Sequence, residues 1–299
     1  MNAFYGSNSI DFTQAERTCA SMNLCEGNES IHHLLLEEQP MDLDKHVEFV
    51  NSNPHSAWKA GAPKRFEGMS RKEIKSMMGT VVDPDWVVRA PHVKQVVESD
   101  MPGVIPTEFF VATNWPLCAT TVNLSRDQSN CGSCWAHGTT EAFNDRLCIA
   151  TGGSFDGLLS VADTAGCCNG TQCLSYDCNG GQVATPWRWF KNKGVVSGGW
   201  FEQGLFCYDY TMAMCAHHVT SATLPSCDSI VTAAPGCYDT CQTVTSIDYA
   251  ADKKKTISNY GFGGNVAAIQ TDIMTYGSVS AAFTVYEDFL TYTSGVYYH

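Results

Sequence analysis

The sequence is poor in charge, and above all in positive charge. Only 16% of its 299 residues are charged, and 18 Lys and Arg residues stand against 31 Asp and Glu, which gives a formal net charge of −13. A chain this acidic is a poor ligand for the phosphate backbone of a nucleic acid. The composition therefore predicts that nucleic acid is not a partner.

Long apolar runs are also missing. No stretch approaches the roughly 18 apolar residues that a membrane-spanning helix requires, so we predict no membrane span. The first residues have neither the basic start nor the apolar block of a signal peptide. With 44% hydrophobic residues, the chain can still bury the core of one or two domains.

Cysteine is abundant by contrast. The chain has 15 cysteines, an odd number, and three N-x-S/T sequons at Asn28, Asn123 and Asn169. This combination is typical of an oxidising compartment and predicts a secreted or lysosome-like protein. The odd cysteine indicates one free thiol, which would be the reactive one.

One cysteine lies in a run with the features of a nucleophile. Gln128-Ser129-Asn130-Cys131-Gly132-Ser133-Cys134-Trp135 precedes a predicted helix from Ala136 to about Ala150. The positive end of a helix dipole favours the thiolate of a cysteine in its first turn. Gln128 is a neutral donor that could stabilise an oxyanion together with the backbone N–H of Cys134. The run predicts acyl-transfer chemistry; a structural half-cystine is the alternative interpretation.

This run resembles the C-G-[SA]-C-[WY] signature of papain-like cysteine proteases, and the wider sequence resembles their cathepsin B branch. The resemblance implies a cysteine-type peptidase with an α+β, papain-like two-lobed fold. That fold has a helical left lobe, a β-barrel right lobe that is truncated here, and an N-terminal propeptide. Cys134 would be the nucleophile, Gln128 the oxyanion donor and Trp135 a wall of the cleft. No cofactor or metal is implied.

The resemblance also implies a disulfide pattern. Cys19 and Cys25 would form a further local pair upstream, which leaves Cys134 free. A zinc site built from four of the clustered cysteines is an alternative, although adjacent cysteines lack the usual two-residue gap of a zinc ligand pair. The six implied pairs are Cys118–Cys148, Cys131–Cys178, Cys167–Cys237, Cys168–Cys173, Cys207–Cys241 and Cys215–Cys227, and the zinc alternative would use Cys167, Cys168, Cys173 and Cys178.

The expected domains are an N-terminal extension over 1–40, a propeptide with its linker over 41–104, and a peptidase domain over 105–299. Ser70 and Glu73 form a predicted capping box, which starts a helix that Gly79 would end. From residue 59 to 75 there are six basic and two acidic residues, whereas 105–299 has eight Lys or Arg and sixteen Asp or Glu. We expect the propeptide to act as an inhibitor; an independent helical hairpin is the alternative.

The resemblance implies several substrate contacts. Gly180 and Gly181 would line the channel for an extended peptide, although an ordinary turn also explains them. Val183 and Ala282 correspond to the apolar part of the second subsite. The expected partners are therefore peptide and protein substrates together with the chain's own propeptide, and we expect a monomer.

A second motif lies in the loop from Cys215 to Cys227. It resembles the occluding loop of cathepsin B, in which His217 and His218 would hold the C-terminal carboxylate of a substrate. This implies peptidyl-dipeptidase activity beside endopeptidase activity. A solvated loop and a metal site are the alternatives.

The last part of the chain begins with a predicted helix from Val266, followed by a strand over Val279–Tyr286. The resemblance ends at His299, before the family's catalytic histidine and asparagine. We therefore expect a C-terminally incomplete zymogen that is inactive alone; a non-catalytic papain-like binding protein is the alternative. His137, where the family has an apolar residue, is predicted to line the core or the cleft. Lys253, Lys254 and Lys255 are predicted to form a solvated loop.

Overall fold

The computed structural model describes residues 37–62, 64–81, 104–155, 157–217, 220–262 and 265–299, with only the backbone at 228 and in strand β1 (Ala3–Phe4). They form two compact units. Unit 1 contains 1–78, 216–226 and 283–299, and unit 2 contains 79–215 and 227–282. Within the described part of the chain, no helix is both long and apolar enough to cross a bilayer. Cys19, Cys25 and His218 lie outside the described residues.

Unit 1 is held together by segments from both ends of the chain. Strand β2 (Trp58–Ala60) pairs antiparallel with β4 (Tyr292–Gly295), and β1 pairs antiparallel with β3 (Val285–Tyr286). Helix α1 (Asp44–Ser52) precedes β2, and helix α2 (Arg71–Ser76) follows it. The buried core comprises two small clusters, one of Leu43, Met69, Ile74 and Leu290, the other of Val50, Trp58 and Ala60.

Helix α2 starts where the sequence predicted. The Ser70 hydroxyl accepts from the Glu73 N–H at 3.3 Å, and the Ser70 N–H donates to the Glu73 carboxylate at 2.7 Å, so the capping box is confirmed. The helix ends at Ser76, with Met77 as its C-cap. The prediction that Gly79 ends this helix is therefore wrong, because the chain leaves the helix before it reaches Gly79.

The predicted strand over Val279–Tyr286 is also largely wrong. Only Val285 and Tyr286 form a strand, paired with Phe4 and Ala3. A run of β-forming residues becomes a strand only where a neighbouring strand accepts its backbone hydrogen bonds. Within the described residues, no such neighbour pairs with 279–284.

Unit 2 is organised around the long helix α5 (Cys134–Ala150). Trp135, Ala136 and Phe143 on this helix belong to the core of the unit, together with residues of α6 (Val161–Cys167), of α7 (Thr185–Asn192) and of the segment after α7. Gly152 and Gly153 follow the helix with positive φ, which confirms the predicted helix and its end. The other helices are α3 (Val111–Asn114), α4 (Ala119–Val122), α6 (Val161–Cys167), α7 (Thr185–Asn192), α8 (Tyr249–Asp252) and α9 (Val266–Tyr276).

Helix α9 confirms the predicted helix near the end of the chain. Asn265 caps it by accepting from the Ala268 N–H at 3.0 Å. Arg146 on α5 forms an ion pair with Asp272 on α9, and its Nε donates to the Ser278 carbonyl at 2.6 Å. These contacts join α9 to the central helix of the unit.

The lysines after α8 differ from their prediction. The Lys253 ammonium donates to the buried carboxylate of Asp163 at 2.9 Å and lies 5.0 Å from the centre of a Trp189 ring. Its side chain is largely buried, so a solvated loop is the wrong description at this position. The buried Asp163 carboxylate needs a cationic partner, and Lys253 provides it.

Candidate active site

Cys134 is the first residue of helix α5. It is half-buried, and within the described residues it is the one cysteine without a disulfide partner. The first N–H groups of a helix have no intrahelical acceptor, and the helix dipole favours an anion at this end. The position therefore suits a thiolate nucleophile.

Gln128 lies half-buried in the loop before the helix. Its main-chain carbonyl oxygen accepts a hydrogen bond from the Tyr210 hydroxyl at 2.9 Å. The next residue, Ser129, is buried with φ of 55°, a conformation that few non-glycine residues adopt. Its N–H donates to the Asp127 carboxylate at 2.6 Å, and its hydroxyl lies 3.8 Å from Cys215 Sγ. The loop is thus fixed on several sides.

An extended segment of the chain, Gly79–Val81, passes over this site. Its main chain pairs with Gly181: the Gly181 N–H donates to the Gly79 carbonyl at 2.8 Å, and the Val81 N–H donates to the Gly181 carbonyl at 2.9 Å. Thr80 forms a parallel bridge with Gly181, and its hydroxyl oxygen lies 3.7 Å from Cys134 Sγ. The segment therefore lies on the same side of the N-terminal end of helix α5 as the Cys134 thiol.

Glycine is required where these segments meet. A Cβ on Gly79 would lie 1.9 Å from the Gly132 carbonyl oxygen, closer than any real contact. Gly180 has φ of 101°, and a Cβ there would lie 3.1 Å from the Gly79 carbonyl oxygen. Both glycines allow two stretches of main chain to approach each other.

The remaining predicted substrate-binding residues have different surroundings. Trp135 is fully buried, and its indole N–H donates to the Asp177 carbonyl at 3.1 Å. Val183 is half-buried against the core of unit 2, and its carbonyl accepts from the Ser280 hydroxyl at 3.5 Å. Ala282, two residues after Ser280, is exposed.

The loop from Cys215 to Cys227 is closed by a disulfide between these two residues. Within the loop, the Ala216 N–H donates to the Pro225 carbonyl at 2.8 Å. His217 is half-buried with φ of 31°, in the positive region where histidine is enriched among non-glycine residues. The loop is therefore closed by a disulfide and a main-chain hydrogen bond, and His217 lies near its start.

The structure contains six disulfides among the described residues, and all lie between or within segments of unit 2. The four cysteines of the alternative zinc site are all bonded to other cysteines, so they have no thiolate to offer a metal. The disulfides are Cys118–Cys148, Cys131–Cys178, Cys167–Cys237, Cys168–Cys173, Cys207–Cys241 and Cys215–Cys227.

Sequence reasoning missed three residues at this site. Thr80 approaches the thiol, Ser129 adopts the strained turn beside Gln128, and Tyr210 bonds the Gln128 carbonyl. The positive φ of Ser129 gives no signal in the sequence, because serine is not a residue type that favours this conformation. Nothing in the local sequence around Thr80 or Tyr210 indicates their contacts, which join positions 54 and 82 residues apart.

Comparison with known proteins agrees with this geometry. The model of the papain family cysteine proteases matches residues 111–299. A cathepsin B-like cysteine proteinase of Schistosoma japonicum is 37% identical over 256 residues, which cover 86% of this chain and 72% of the relative. Cathepsin B-like cysteine proteinase 4 of Caenorhabditis elegans is 37% identical over 270 residues, or 89% of this chain and 77% of the relative.

Solved structures give the same answer for the fold. Procathepsin B S9 from Trypanosoma congolense has a TM-score of 0.67 at 25% identity, over 87% of this chain and 78% of that one. A digestive procathepsin L2 from Tenebrio molitor, at 17% identity and a TM-score of 0.54 over 95% of this chain and 78% of that one, supports the fold alone. The chain has the α+β papain-like fold and belongs to the papain family of cysteine peptidases, among its cathepsin B-like members.

Proposed function

We propose that this chain is a cathepsin B-like protease zymogen in which Cys134 cleaves peptide bonds. The single observation that carries the proposal is the free thiol at the start of α5, beside a glycine whose main chain already pairs with an extended segment. In the reaction, Sγ attacks the scissile carbonyl carbon. The resulting oxyanion is stabilised by the Gln128 side chain and the Cys134 N–H. The C–N bond then breaks, the leaving amine takes the proton that the thiol gave up, and water hydrolyses the thioester to a carboxylic acid and the free thiol.

A general base for Cys134 is not found among the described residues. The family resemblance implies a histidine as this base and an asparagine beside it. Gly180 and Gly181 would align an extended substrate by main-chain pairing. Val183 and Ala282 would accept an apolar side chain, and Trp135 would support the cleft from below.

We further propose that residues 41–104 are an inhibitory propeptide, that 1–40 precede it as an extension, and that 105–299 are the peptidase domain. The main-chain bonds of Gly79 and Val81 to Gly181 support this, because a substrate needs the same bonds. A synthetic peptide of residues 59–81 should inhibit the separate peptidase domain less strongly at pH 4 than at pH 7. Carboxylates of that domain that face the cations of the peptide become protonated over this range. Unchanged inhibition over that range would count against an acid-released propeptide.

The direct experiment is covalent labelling. A peptidyl epoxide should label this chain at Cys134, as located by mass spectrometry, and Cys134→Ala should remove the labelling. In a form of the protein that also carries the catalytic histidine and asparagine, Cys134→Ala should abolish peptidase activity and Gln128→Ala should reduce turnover by about 10²–10³-fold. Labelling at another cysteine would refute the assignment, and a form with the histidine and asparagine that is labelled but does not hydrolyse peptides would favour a papain-like binding protein.

The loop histidines suggest the specificity. His217 and His218 would bind the C-terminal carboxylate of a substrate through charge-assisted hydrogen bonds, so dipeptide removal should be favoured at mildly acid pH. The test compares peptides with a free and an amidated C-terminus on the wild type and on a variant with His217→Ala and His218→Ala. If that variant keeps the preference for a free carboxylate, the histidines have no such role.

We also propose a secreted or lysosome-like acid compartment for this protein, and a monomer.

A further inference from the structure

Three buried side chains connect helix α5 to the loop that carries Gln128. Nδ1 of His137 lies 3.1 Å from the carbonyl oxygen of Ser133 and 3.3 Å from its hydroxyl oxygen. The Ser133 hydroxyl lies 2.9 Å from the hydroxyl of Tyr210. That hydroxyl in turn lies 2.9 Å from the Gln128 carbonyl oxygen. The four residues form one continuous chain of contacts.

The direction of each hydrogen bond follows from groups that can only accept. The Gln128 carbonyl cannot donate, so the single O–H of Tyr210 points to it. Tyr210 must then accept from the Ser133 hydroxyl. The Ser133 carbonyl also only accepts, so His137 bonds it in the tautomer that carries the hydrogen on Nδ1, and in that tautomer the two oxygens of Ser133 share the hydrogen. Every donor in the chain thus points towards Gln128.

The surroundings keep this arrangement in one protonation state. Ser133, His137 and Tyr210 are all buried. Burial raises the pKa of Tyr210, so the phenol keeps its hydrogen. Burial also lowers the pKa of His137 to about 4, although the carbonyls of Ser133 and Asp127 and the Asp127 charge oppose it and Arg126 adds to it. The imidazole is therefore neutral at pH 7.

Ring packing fixes the geometry as well. The His137 and Tyr210 rings meet edge to face, with their centroids 4.9 Å apart at 80°. An apolar side chain could fill this space but could not donate to Ser133. His137 therefore contributes both packing and a polar contact at this position.

We propose that His137 and Tyr210 are positioning residues, which hold the Gln128 main chain, through Ser133, where its side chain serves as oxyanion donor. This inference rests on the proposed function. Ser133 directly precedes the nucleophile, so the same chain of bonds fixes the spacing between Cys134 and Gln128. Preorganised donors bind a developing oxyanion more strongly than donors that must reorient first.

The test measures oxyanion binding without turnover, on the full chain. The probe is a peptidyl aldehyde: the thiol sulfur bonds to the carbonyl carbon, the carbonyl π bond breaks, and the thiol proton moves to the new hydroxyl oxygen, which the oxyanion donors hold. Its Kd is obtained from the protection of Cys134 against iodoacetamide, because alkylation does not use the oxyanion donors. All variants contain the same Gly79–Val81 segment, so competition from this segment is common to them.

Tyr210→Phe keeps the ring but removes the hydroxyl, and it should raise the aldehyde Kd about five- to tenfold, the range expected for one hydrogen bond. The rate of alkylation without aldehyde should not change. His137→Phe, which keeps an aromatic ring, should raise the Kd in the same direction. Tyr208→Phe is the matched control, because Tyr208 loses an equivalent bond to the Gly236 carbonyl, at 3.2 Å, without a bond to Gln128.

The outcomes separate this inference from the proposed function. If Tyr210→Phe and Tyr208→Phe show the wild-type Kd, the positioning role is wrong while the protease proposal stands. A Tyr210→Phe variant whose alkylation rate falls as much as its aldehyde affinity also refutes the role, because the defect would then be general. A wild type that no concentration of aldehyde protects refutes both.

Discussion

The hydroxyl oxygen of Thr80 lies 3.7 Å from the sulfur of Cys134. The neighbouring Gly79 reaches this position only because it has no side chain, since a Cβ would lie 1.9 Å from the Gly132 carbonyl oxygen. Access of solvent to the thiol therefore depends on Gly79, a residue without a side chain.

The first prediction concerns this glycine. Gly79→Ala should lift the Gly79–Val81 segment away from Gly132 and increase the rate of Cys134 alkylation by iodoacetamide about tenfold, since overpacking costs roughly 1–3 kcal/mol. Alkylation is followed by mass spectrometry. Gly68→Ala is the control, because a Cβ there meets nothing within 4 Å, although Gly68, unlike Gly79, has a positive φ of 77°. Equal rates in both variants would show that the segment does not shield the thiol.

The second prediction concerns the ion pair between Arg71 and Glu287 in unit 1, at 2.7 Å. Burial raises the pKa of Glu287, but the hydrogen bond and charge of Arg71, with those of His46, outweigh burial and lower it overall. A lowered carboxyl pKa stabilises the fold above its unfolded value of about 4.5, and this is lost as the pH falls through the folded pKa. Glu287→Gln should thus destabilise the protein by about 1–3 kcal/mol at pH 7 and progressively less below pH 4.5.

Urea unfolding at pH 7 and pH 3.5 checks this prediction. Lys72→Ala is the control, because the Lys72–Glu38 pair is exposed and such pairs contribute little. A destabilisation by Glu287→Gln that is the same at both pH values would show that the ion pair does not respond to acid. The pair joins the predicted propeptide to the predicted peptidase domain, so its loss at low pH would aid release of the propeptide.

How far the sequence predicts the structure depends on whether the contacts are local. Helix α5 was predictable because its periodic apolar residues and the glycines after it lie within one short segment. The capping box of α2 depends on two residues three positions apart. The strand predicted over Val279–Tyr286 forms only at Val285–Tyr286, because no strand among the described residues pairs with 279–284, and β propensity alone forms no ladder.

The same distinction applies to the site. Cys134 and Gln128 can be proposed from the sequence because their run is specific to one kind of chemistry. The contacts of Thr80 and Tyr210 depend on the path of the chain over dozens of residues, and neither residue type is unusual for a surface or a core. Lys253 is predicted to be solvated because a run of lysines usually lies in solvent. Only the fold shows that it neutralises the buried Asp163 carboxylate, 90 residues away in the sequence.

The third prediction separates two sequons. Asn123 is exposed, whereas the amide nitrogen of Asn169 donates to both carboxylate oxygens of Asp177 at 2.8 Å. In a secretory host, Asn123→Gln should remove a glycan, seen as a loss of the mass shift on deglycosylation, and Asn169→Gln should not. Asn169→Ala should instead reduce stability by about 1–3 kcal/mol, since the Asp177 carboxylate loses its donor. A glycan found at Asn169 would contradict this assignment.

The last prediction concerns Glu141, on the face of α5 towards Arg126 and Asp145. Burial raises its pKa to about 7; the charge of Arg126 opposes this effect, and Asp145 adds to it. Its Oε1 is buried without a hydrogen-bond partner. The folded state therefore holds a proton that the unfolded state, with a pKa of about 4.5, releases. Protonated Glu141 therefore costs the folded state little below pH 4.5. Its ionisation lowers the free energy of unfolding as the pH rises through 7.

Glu141→Gln replaces the carboxyl group by a neutral amide of the same shape. It should match the wild type at pH 4.5 and exceed its free energy of unfolding by up to about 3 kcal/mol at pH 8, from 1.36 kcal/mol for each pH unit between the two pKa values. Buried His137 acts in the opposite direction between its pKa of about 4 and its unfolded value of 6.5, but it is common to both proteins and cancels in the difference. Glu202→Gln, at an exposed position, should show no such pH dependence. If Glu141→Gln changes stability equally at both pH values, ionisation of this carboxyl is not the cause.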